Sequence, residues 1–319
     1  MSFDVTARLR SIAFASCAVV MLAAMTPPPA PQYAAFSHPE RVTILGYTGD
    51  EMEPFITRDG RYLLFNNRNF PPEKTDLYYA ERIDARAFRF RGPLQGANSP
   101  ELDAVASVDC GGTLYFVSNR SYAATLSTIY RARFRNGIVS NVEIVPGVSR
   151  LRRGALNFDA EISSDGGTLY IVESVFHFGS GPKSASIAIF RKQGDGFVRD
   201  PDSDATMRAV NAGVLQYAPS ISADGRELFF TRLIDGPSGT TPAIFRSERT
   251  DDRSPFGAPA RVKGARGFVE AASLSPDGRI LYYHAFEGGR FVIDLLTRPA
   301  ALAGSGSACA HPRTRPARH

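Results

Sequence analysis

The chain contains no tryptophan, three cysteines and, beyond its first 25 residues, no apolar run of the roughly 20 residues that would cross a bilayer. Each shortage closes off a class. Cys17 falls inside the N-terminal apolar stretch, which leaves Cys110 and Cys309, too few for a disulfide framework or a cysteine zinc site. The histidines (His38, His177, His284, His311 and His319) show no H-E-x-x-H or other paired spacing. There is no P-loop, no dinucleotide fingerprint and no G-x-S-x-G elbow, and there is no room for an α/β-hydrolase domain. Positive charge is also scarce where it would matter for nucleic acid. The net +5 comes from Arg298, Arg313, Arg315 and Arg318 in an acid-free stretch at the C-terminus, and from Arg8 and Arg10 set against Asp4 at the N-terminus. The middle is therefore close to neutral, which argues against a DNA- or RNA-binding face.

The sequence is rich instead in glycine (28), proline (22) and phenylalanine (22), and in one repeated phrase. "FITRDGRYLLF" (55–65), "ASVDCGGTLYF" (106–116), "EISSDGGTLYI" (161–171), "SISADGRELFF" (220–230) and "SLSPDGRILYY" (273–283) align Asp59, Cys110, Asp165, Asp224 and Asp277. Asp-Gly between two apolar runs is a strong hairpin signal, because glycine accepts positive φ and aspartate bonds the backbone of its own turn. A third short run follows in every unit (76–82, 128–134, 186–192, 243–249 and 291–297), then a weaker fourth, as in "RFRGPLQG" and "APARVKG". Four strands every 50–60 residues, without helical periodicity, predict an all-β, five-bladed β-propeller of four-stranded antiparallel blades over residues 36–298. The fifth unit stops after its third strand, whereas "FSHPERVTILGY" (36–47) precedes the first unit and looks like a fourth strand. The N-terminal strand is thus expected to close the last blade.

Residues 1–25 read as a secretory signal peptide: Arg8 and Arg10, then "SIAFASCAVVMLAAM", then small residues before "TPPPAP". An uncleaved anchor is the alternative, and it would be the chain's sole membrane contact. Residues 26–35 read as a linker, and 299–319 as a disordered Arg/Pro-rich tail. The expected location is periplasmic or secreted, and the expected state a monomer.

The phrases "SPDGRILYY", "LLFNNR…TDLYYAER" and "LYFVSNR…STIYRARF" resemble the TolB-type, WD40-like propeller repeat of secreted bacterial proteins. The resemblance implies the fold more than a function, since such propellers serve as scaffolds, peptide binders and enzyme domains. It departs from the family pattern at Cys110, which replaces the turn aspartate, and no TolB-like α/β domain precedes the propeller. The "SSDGGTLY" and "SVDCGGTLY" segments also resemble the Asp-box turn of sialidases, but its tryptophan is missing and neither an arginine triad nor a Tyr/Glu pair can be assigned.

Acids precede or open most innermost strands: Glu51 and Glu53, Asp103, Asp159 and Glu161, and Glu270, with Tyr217 in the fourth unit. In a propeller these positions converge at one mouth of the central channel. Glu53, Asp103, Asp159, Glu161, Tyr217 and Glu270 are therefore the expected ligand-binding set. Such a cluster suits Ca²⁺ as the one conceivable cofactor, a basic peptide, or the hydroxyls of a glycan. The bland reading has each acid cap its own blade's loop or pair with Arg68 or Arg120. The segments 69–76, 177–186 and 233–243 would add long loops on the same face. The sequence thus favours a binding or interaction module for a protein, peptide or glycan. A carbohydrate-active hydrolase using two of Glu53, Asp159, Glu161 and Glu270 is the alternative.

Overall fold

Each Asp-Gly phrase folds as a tight turn between the two innermost strands of a blade. In four of the five units a Ser or Thr two residues before the aspartate donates to it at 2.6 Å (Thr57 to Asp59, Ser163 to Asp165, Ser222 to Asp224, Ser275 to Asp277). The glycine that follows has φ near +70° in all four, a conformation that a Cβ would strain. The second unit departs from this. There Asp109 holds the turn by accepting the Thr113 amide at 2.8 Å, and Cys110 is released from turn duty.

The computed structural model describes residues 34–176, 181–236, 239–299 and residue 309. The expected signal peptide lies outside these residues, as do most of the expected linker and tail. Five separate sheets form the ring. Blade one comprises Met52–Ile56, Tyr62–Asn66, Leu77–Arg82 and Ala87–Pro93, and blade two Asp103–Val108, Thr113–Ser118, Ile129–Arg135 and Ile138–Ile144. Blade three comprises Ala155–Ile162, Thr168–Phe176, Pro182–Gln193 and Gly196–Arg199, and blade four Gln216–Ile221, Glu227–Gly236, Gly239–Glu248 and Ala260–Arg261. Blade five comprises Val269–Leu274, Ile280–Glu287 and Arg290–Thr297, completed by Glu40–Arg41.

The closure expected from sequence is present, in a divided form. Glu40 and Arg41 pair antiparallel with Leu295 and Asp294 of blade five. The chain then crosses over, and Thr43–Leu45 pairs in parallel with Ala87–Arg89 of blade one. One strand could not serve both blades, but two short ones can. Val42 and Ile44 point into the seam between them, beside Ile56, Leu63, Phe88, Ile293 and Leu295. Burial of these two residues makes the N-terminal segment a bolt across the first and last blades.

The core is distributed in the same way. Five apolar clusters each occupy one seam between neighbouring blades, so no blade buries its faces alone. Polar groups reinforce the seams. The Arg298 guanidinium, nearly fully buried, reaches from blade five to Glu227 of blade four with two bonds of 2.7 and 2.5 Å.

In two segments expected as loops, 177–186 and 233–243, the described residues are mostly strand. The second and third strands of blades three and four continue as paired ladders to Phe176↔Pro182 and to Gly236↔Gly239. These tall hairpins rise beside the channel mouth.

Cys110 is disulfide-bonded to Cys309 across 199 residues of sequence. Two cysteines are too few for a framework, but they suffice for one clasp. Cys309, the one described residue beyond 299, is thereby anchored to the turn of blade two.

Candidate functional site

The innermost strand of every blade carries a bulge in which two residues stand opposite one on its partner strand. The register breaks between Met52 and Phe55, Ala104 and Ser107, Asn157 and Ala160, Tyr217 and Ser220, and Glu270 and Ser273. A bulge of this kind bends the strand and re-aims side chains. In four blades its first residue takes left-handed φ although it is not glycine: Glu53 (50°), Val105 (54°), Ala218 (50°) and Ala271 (52°). Such a conformation costs about 1–3 kcal/mol and persists only where the surroundings hold it.

A hydrogen bond holds it in each case. The bulge amide donates to a side chain of the preceding blade: Glu53 to His284 Nδ1 (3.1 Å), Val105 to Asn66 Oδ1 (3.3 Å), Ala218 to Asp159 Oδ2 (2.9 Å) and Ala271 to Thr231 Oγ1 (3.1 Å). His284, Asn66 and Thr231 occupy the same register position of their blades. The blade-two residue at that position is Val117, which has no acceptor to offer, and the facing bulge residue, Phe158, does not adopt positive φ.

The bulges also explain which of the expected site residues meet. Glu51 and Asp103 sit before the bulge, Tyr217 and Glu270 on its near edge, Glu53 and Asp159 within it, and Glu161 beyond it. The structure brings together Glu53, Asp159, Tyr217 and Glu270, which share a cavity of about 500 Å³ at the channel mouth. Its walls are apolar, with Leu102, Val105, Val117, Phe158, Phe176, Leu215 and Leu233 among them.

Two of the expected residues are elsewhere. Asp103 is fully buried (0% exposed), accepts the Ser99 amide and hydroxyl at 2.5 and 2.7 Å, and pairs with Arg120. It is a loop cap, as the bland reading held for this class of acid. Glu161 lies farther down the channel, where it accepts from Arg58 Nη2 (2.7 Å), Ser107 Oγ (2.6 Å) and the Ile221 amide (3.3 Å). Blades one, two and four are thereby tied to blade three. Ser107, Ser220 and Ser273 accept an amide from the following blade or the next in the ring (Ile162, Leu274 and Ile56, at 3.0–3.1 Å). In blade three Glu161 itself occupies that register position, opposite Tyr170, and its carboxylate takes over the acceptor role of the serines. Below the cavity the channel narrows to a space of about 30 Å³ lined by these inner strands.

At the mouth the carboxyl groups are pushed apart in acidity. Burial and the neighbouring charges of Glu53 and Glu270 hold Asp159 well above the ordinary aspartate range, despite the Ala218 amide. Burial also raises Glu53, and the charge of Glu270 adds to this. Glu270 goes the other way: burial opposes its ionisation, but hydrogen bonds from His284 and Tyr217 prevail and lower its pKa. The Tyr217 hydroxyl donates to Glu270 Oε1, and His284 Nε2 lies 3.1 Å from Oε2. Burial and the Glu270 carboxylate raise the pKa of Tyr217. Burial works against a charge on His284, while Glu270 and Glu53 favour it and raise its pKa. Yet the Glu53 amide already fills Nδ1, the nitrogen that a second proton would need. That bond makes Nδ1 the acceptor and leaves the Nε2 proton directed at Glu270.

His284 and Asn69, whose amide donates to Glu53 Oε1 at 3.0 Å, were not among the expected site residues. His284 reads from sequence as a packed strand-end histidine, and it is fully buried. Only its register partnership with the bulge of blade one reveals the second role. No group of three or more His, Cys, Asp or Glu among the described residues is arranged to hold a metal ion.

No family model matches the chain, and no curated protein does. Solved structures do. A family 117 glycoside hydrolase from Zobellia galactanivorans aligns with a TM-score of 0.55 at 10% identity, covering 84% of this chain and 91% of its own. An α-L-arabinofuranosidase from Podospora anserina, solved with cellotriose, aligns at 0.54 and 11% identity over 86% of this chain and 100% of its own. TolB from Acinetobacter baumannii aligns at 0.43 and 16% identity over 79% of this chain, which spans 55% of that protein's length. Identities this low speak to the fold and not to what those proteins act on. The chain is a five-bladed β-propeller whose repeats are similar in sequence to those of the TolB type.

Proposed function

We propose that the chain is an exported binding module whose small-molecule ligand, or the protruding end of a larger partner, enters the channel mouth. The observation that carries this reading is the cavity itself: mostly apolar walls around a few convergent polar groups, at a volume within the roughly 300–1,000 Å³ of small-molecule sites. The narrow, pinned channel below it makes the mouth a pocket with a floor. Export is supported by the signal-like N-terminus and by the Cys110–Cys309 disulfide, a bond that persists in oxidising compartments. Among the described residues no helix is long and apolar enough to cross a membrane.

The second reading, a glycoside hydrolase, is favoured by one observation. The pKa of Asp159 is raised while that of Glu270 is lowered, the direction of separation that an acid and a base require. Against it, both oxygens of Glu270 already accept hydrogen bonds from Tyr217 and His284, and the walls offer a sugar few donors.

A thermal-shift screen of small molecules run beside a panel of chromogenic glycosides separates the two. The binding reading expects saturable stabilisation by some compounds and no glycoside turnover. Turnover by the wild-type protein that disappears in Asp159→Asn would replace it with the hydrolase.

A further inference from the structure

We propose that the ligand accepted at the channel mouth is a monovalent organic cation: an ammonium group on an apolar body, seated among Glu53, Asp159 and Glu270. This rests on the binding reading above and names the chemical class that the cavity selects.

The cavity offers acceptors and almost no donors. Among the described residues its lining contains no lysine or arginine. The donors that are present are already directed into carboxylates, Tyr217 into Glu270 and Asn69 into Glu53. Asp159, 3% exposed, spends Oδ2 on the Ala218 amide, and no donor among the described residues reaches its other oxygen. That oxygen opens onto the cavity, where a donor from the ligand can reach it. A sugar would need donors from the protein as well as acceptors, and an anion would be repelled by three carboxyl groups. An ammonium supplies donors only.

The walls fit the rest of such a molecule. Phe158 packs edge-on against Phe176 at 5.8 Å and lies 6.1 Å from Tyr217, so aromatic rings flank the acids. Ring faces attract cations, and burial strengthens that attraction. A hard divalent ion would need six or more oxygens, whereas an ammonium is satisfied by three.

Protonation follows from the same arrangement. The groups facing Asp159 are Glu53 from blade one, Tyr217 from blade four, and Glu270 with His284 behind it from blade five. In the empty cavity, burial and the neighbouring carboxylates raise the pKa of Asp159 and of Glu53. An arriving ammonium displaces a proton, so affinity rises with pH.

Isothermal titration of the full chain with 4-phenylbutylamine, 4-phenylbutanol and 4-phenylbutyrate tests the class, because the three differ only in the head group. The expected result is amine binding at least tenfold tighter than the alcohol, with no saturable heat from the carboxylate. The amine preference should grow between pH 6 and pH 8, with net proton release at pH 6 measured in two buffers of different ionisation enthalpy. Asp159→Asn, which keeps an acceptor for the Ala218 amide, should weaken the amine at least tenfold and leave the alcohol unchanged, with near-ultraviolet circular dichroism confirming its fold. Alcohol binding as tight as amine binding would overturn the cation class while leaving the cavity a binding site, as would amine affinity indifferent to Asp159→Asn. Absence of binding by all three at millimolar concentration would also overturn it. Failure of the binding reading has a different signature, glycoside turnover.

Discussion

His284 and Glu53 are far apart in sequence, yet the ring closes on them. The Glu53 amide donates to Nδ1 of His284 at 3.1 Å, while Nε2 of the same ring faces Glu270 at 3.1 Å. One buried imidazole thus holds a strained bulge of blade one and a carboxylate of blade five. Asn66 and Thr231 do the first of these jobs elsewhere in the ring. His284→Asn should therefore keep an acceptor for the Glu53 amide and lose less than about 1.5 kcal/mol. His284→Ala, which strands a buried amide and frees a buried carboxylate, should lose about 3 kcal/mol. Urea denaturation monitored by tyrosine fluorescence compares them, and equal losses would contradict the bulge-acceptor role.

Glu161 is expected to matter for stability alone. It forms a buried ion pair with Arg58 and accepts from blades two and four. Breaking one side of such a pair leaves a buried charge without its partner, a loss of about 3–5 kcal/mol. Glu161→Gln should lower the denaturation midpoint accordingly and leave ligand affinity of the surviving folded protein unchanged. A variant of wild-type stability with lost binding would move Glu161 back into the site.

The contrast between Glu161 and Asp159 shows what the sequence conveys and what it does not. The five repeated turn phrases, four of them Asp-Gly, reveal the number of blades, because turn chemistry is local and each hairpin declares itself. They also reveal that acids open the inner strands. They do not reveal the bulges, since nothing in "MEP", "AVA", "NFDA" or "QYAP" marks a two-against-one register. The bulges differ in place, so Asp103 and Glu270, each seven residues before the aligned turn position, end up in different environments. The disulfide was equally hidden, because Cys110 and Cys309 are joined only once the ring brings the C-terminus past the turn of blade two.

Glu51 gives the fold a pH dependence of its own. Burial pushes its pKa up to about 7, against the amide of Ile293, which donates to it at 3.0 Å. The folded state therefore binds a proton that the unfolded chain, with an ordinary value of 4.5, releases. The native state binds more protons between these limits, so stability falls as pH rises from about 4.5 through 7. The loss amounts to roughly 3 kcal/mol by pH 8. Glu51→Gln keeps an acceptor for Ile293 and should remove that decline. Denaturation midpoints from pH 4.5 to 8 check this, and parallel curves for the two proteins would contradict it.

The clasp between Cys110 and Cys309 should stabilise the ring by limiting the unfolded chain. For a loop closed across 199 residues the chain-entropy estimate reaches about 5 kcal/mol as an upper value. Cys110→Ser, or reduction with dithiothreitol, should lower the denaturation midpoint without altering the far-ultraviolet circular dichroism at 25 °C. Alkylation of Cys110 or Cys309 in the folded, air-oxidised protein, located by peptide mapping so that Cys17 is not counted, would contradict the bond.

The measurement that bears most directly on the account compares small-molecule binding by the wild-type protein and by Leu233→Trp. Leu233 lines the cavity from the tall hairpin of blade four, and the larger indole of a tryptophan there takes up space that a ligand would need. The account predicts that compounds stabilising the wild type in thermal-shift and calorimetric assays lose their affinity at least tenfold in the variant, whose own melting temperature is unchanged. Undiminished binding by a folded Leu233→Trp would place the ligand somewhere other than the channel mouth and contradict the assignment.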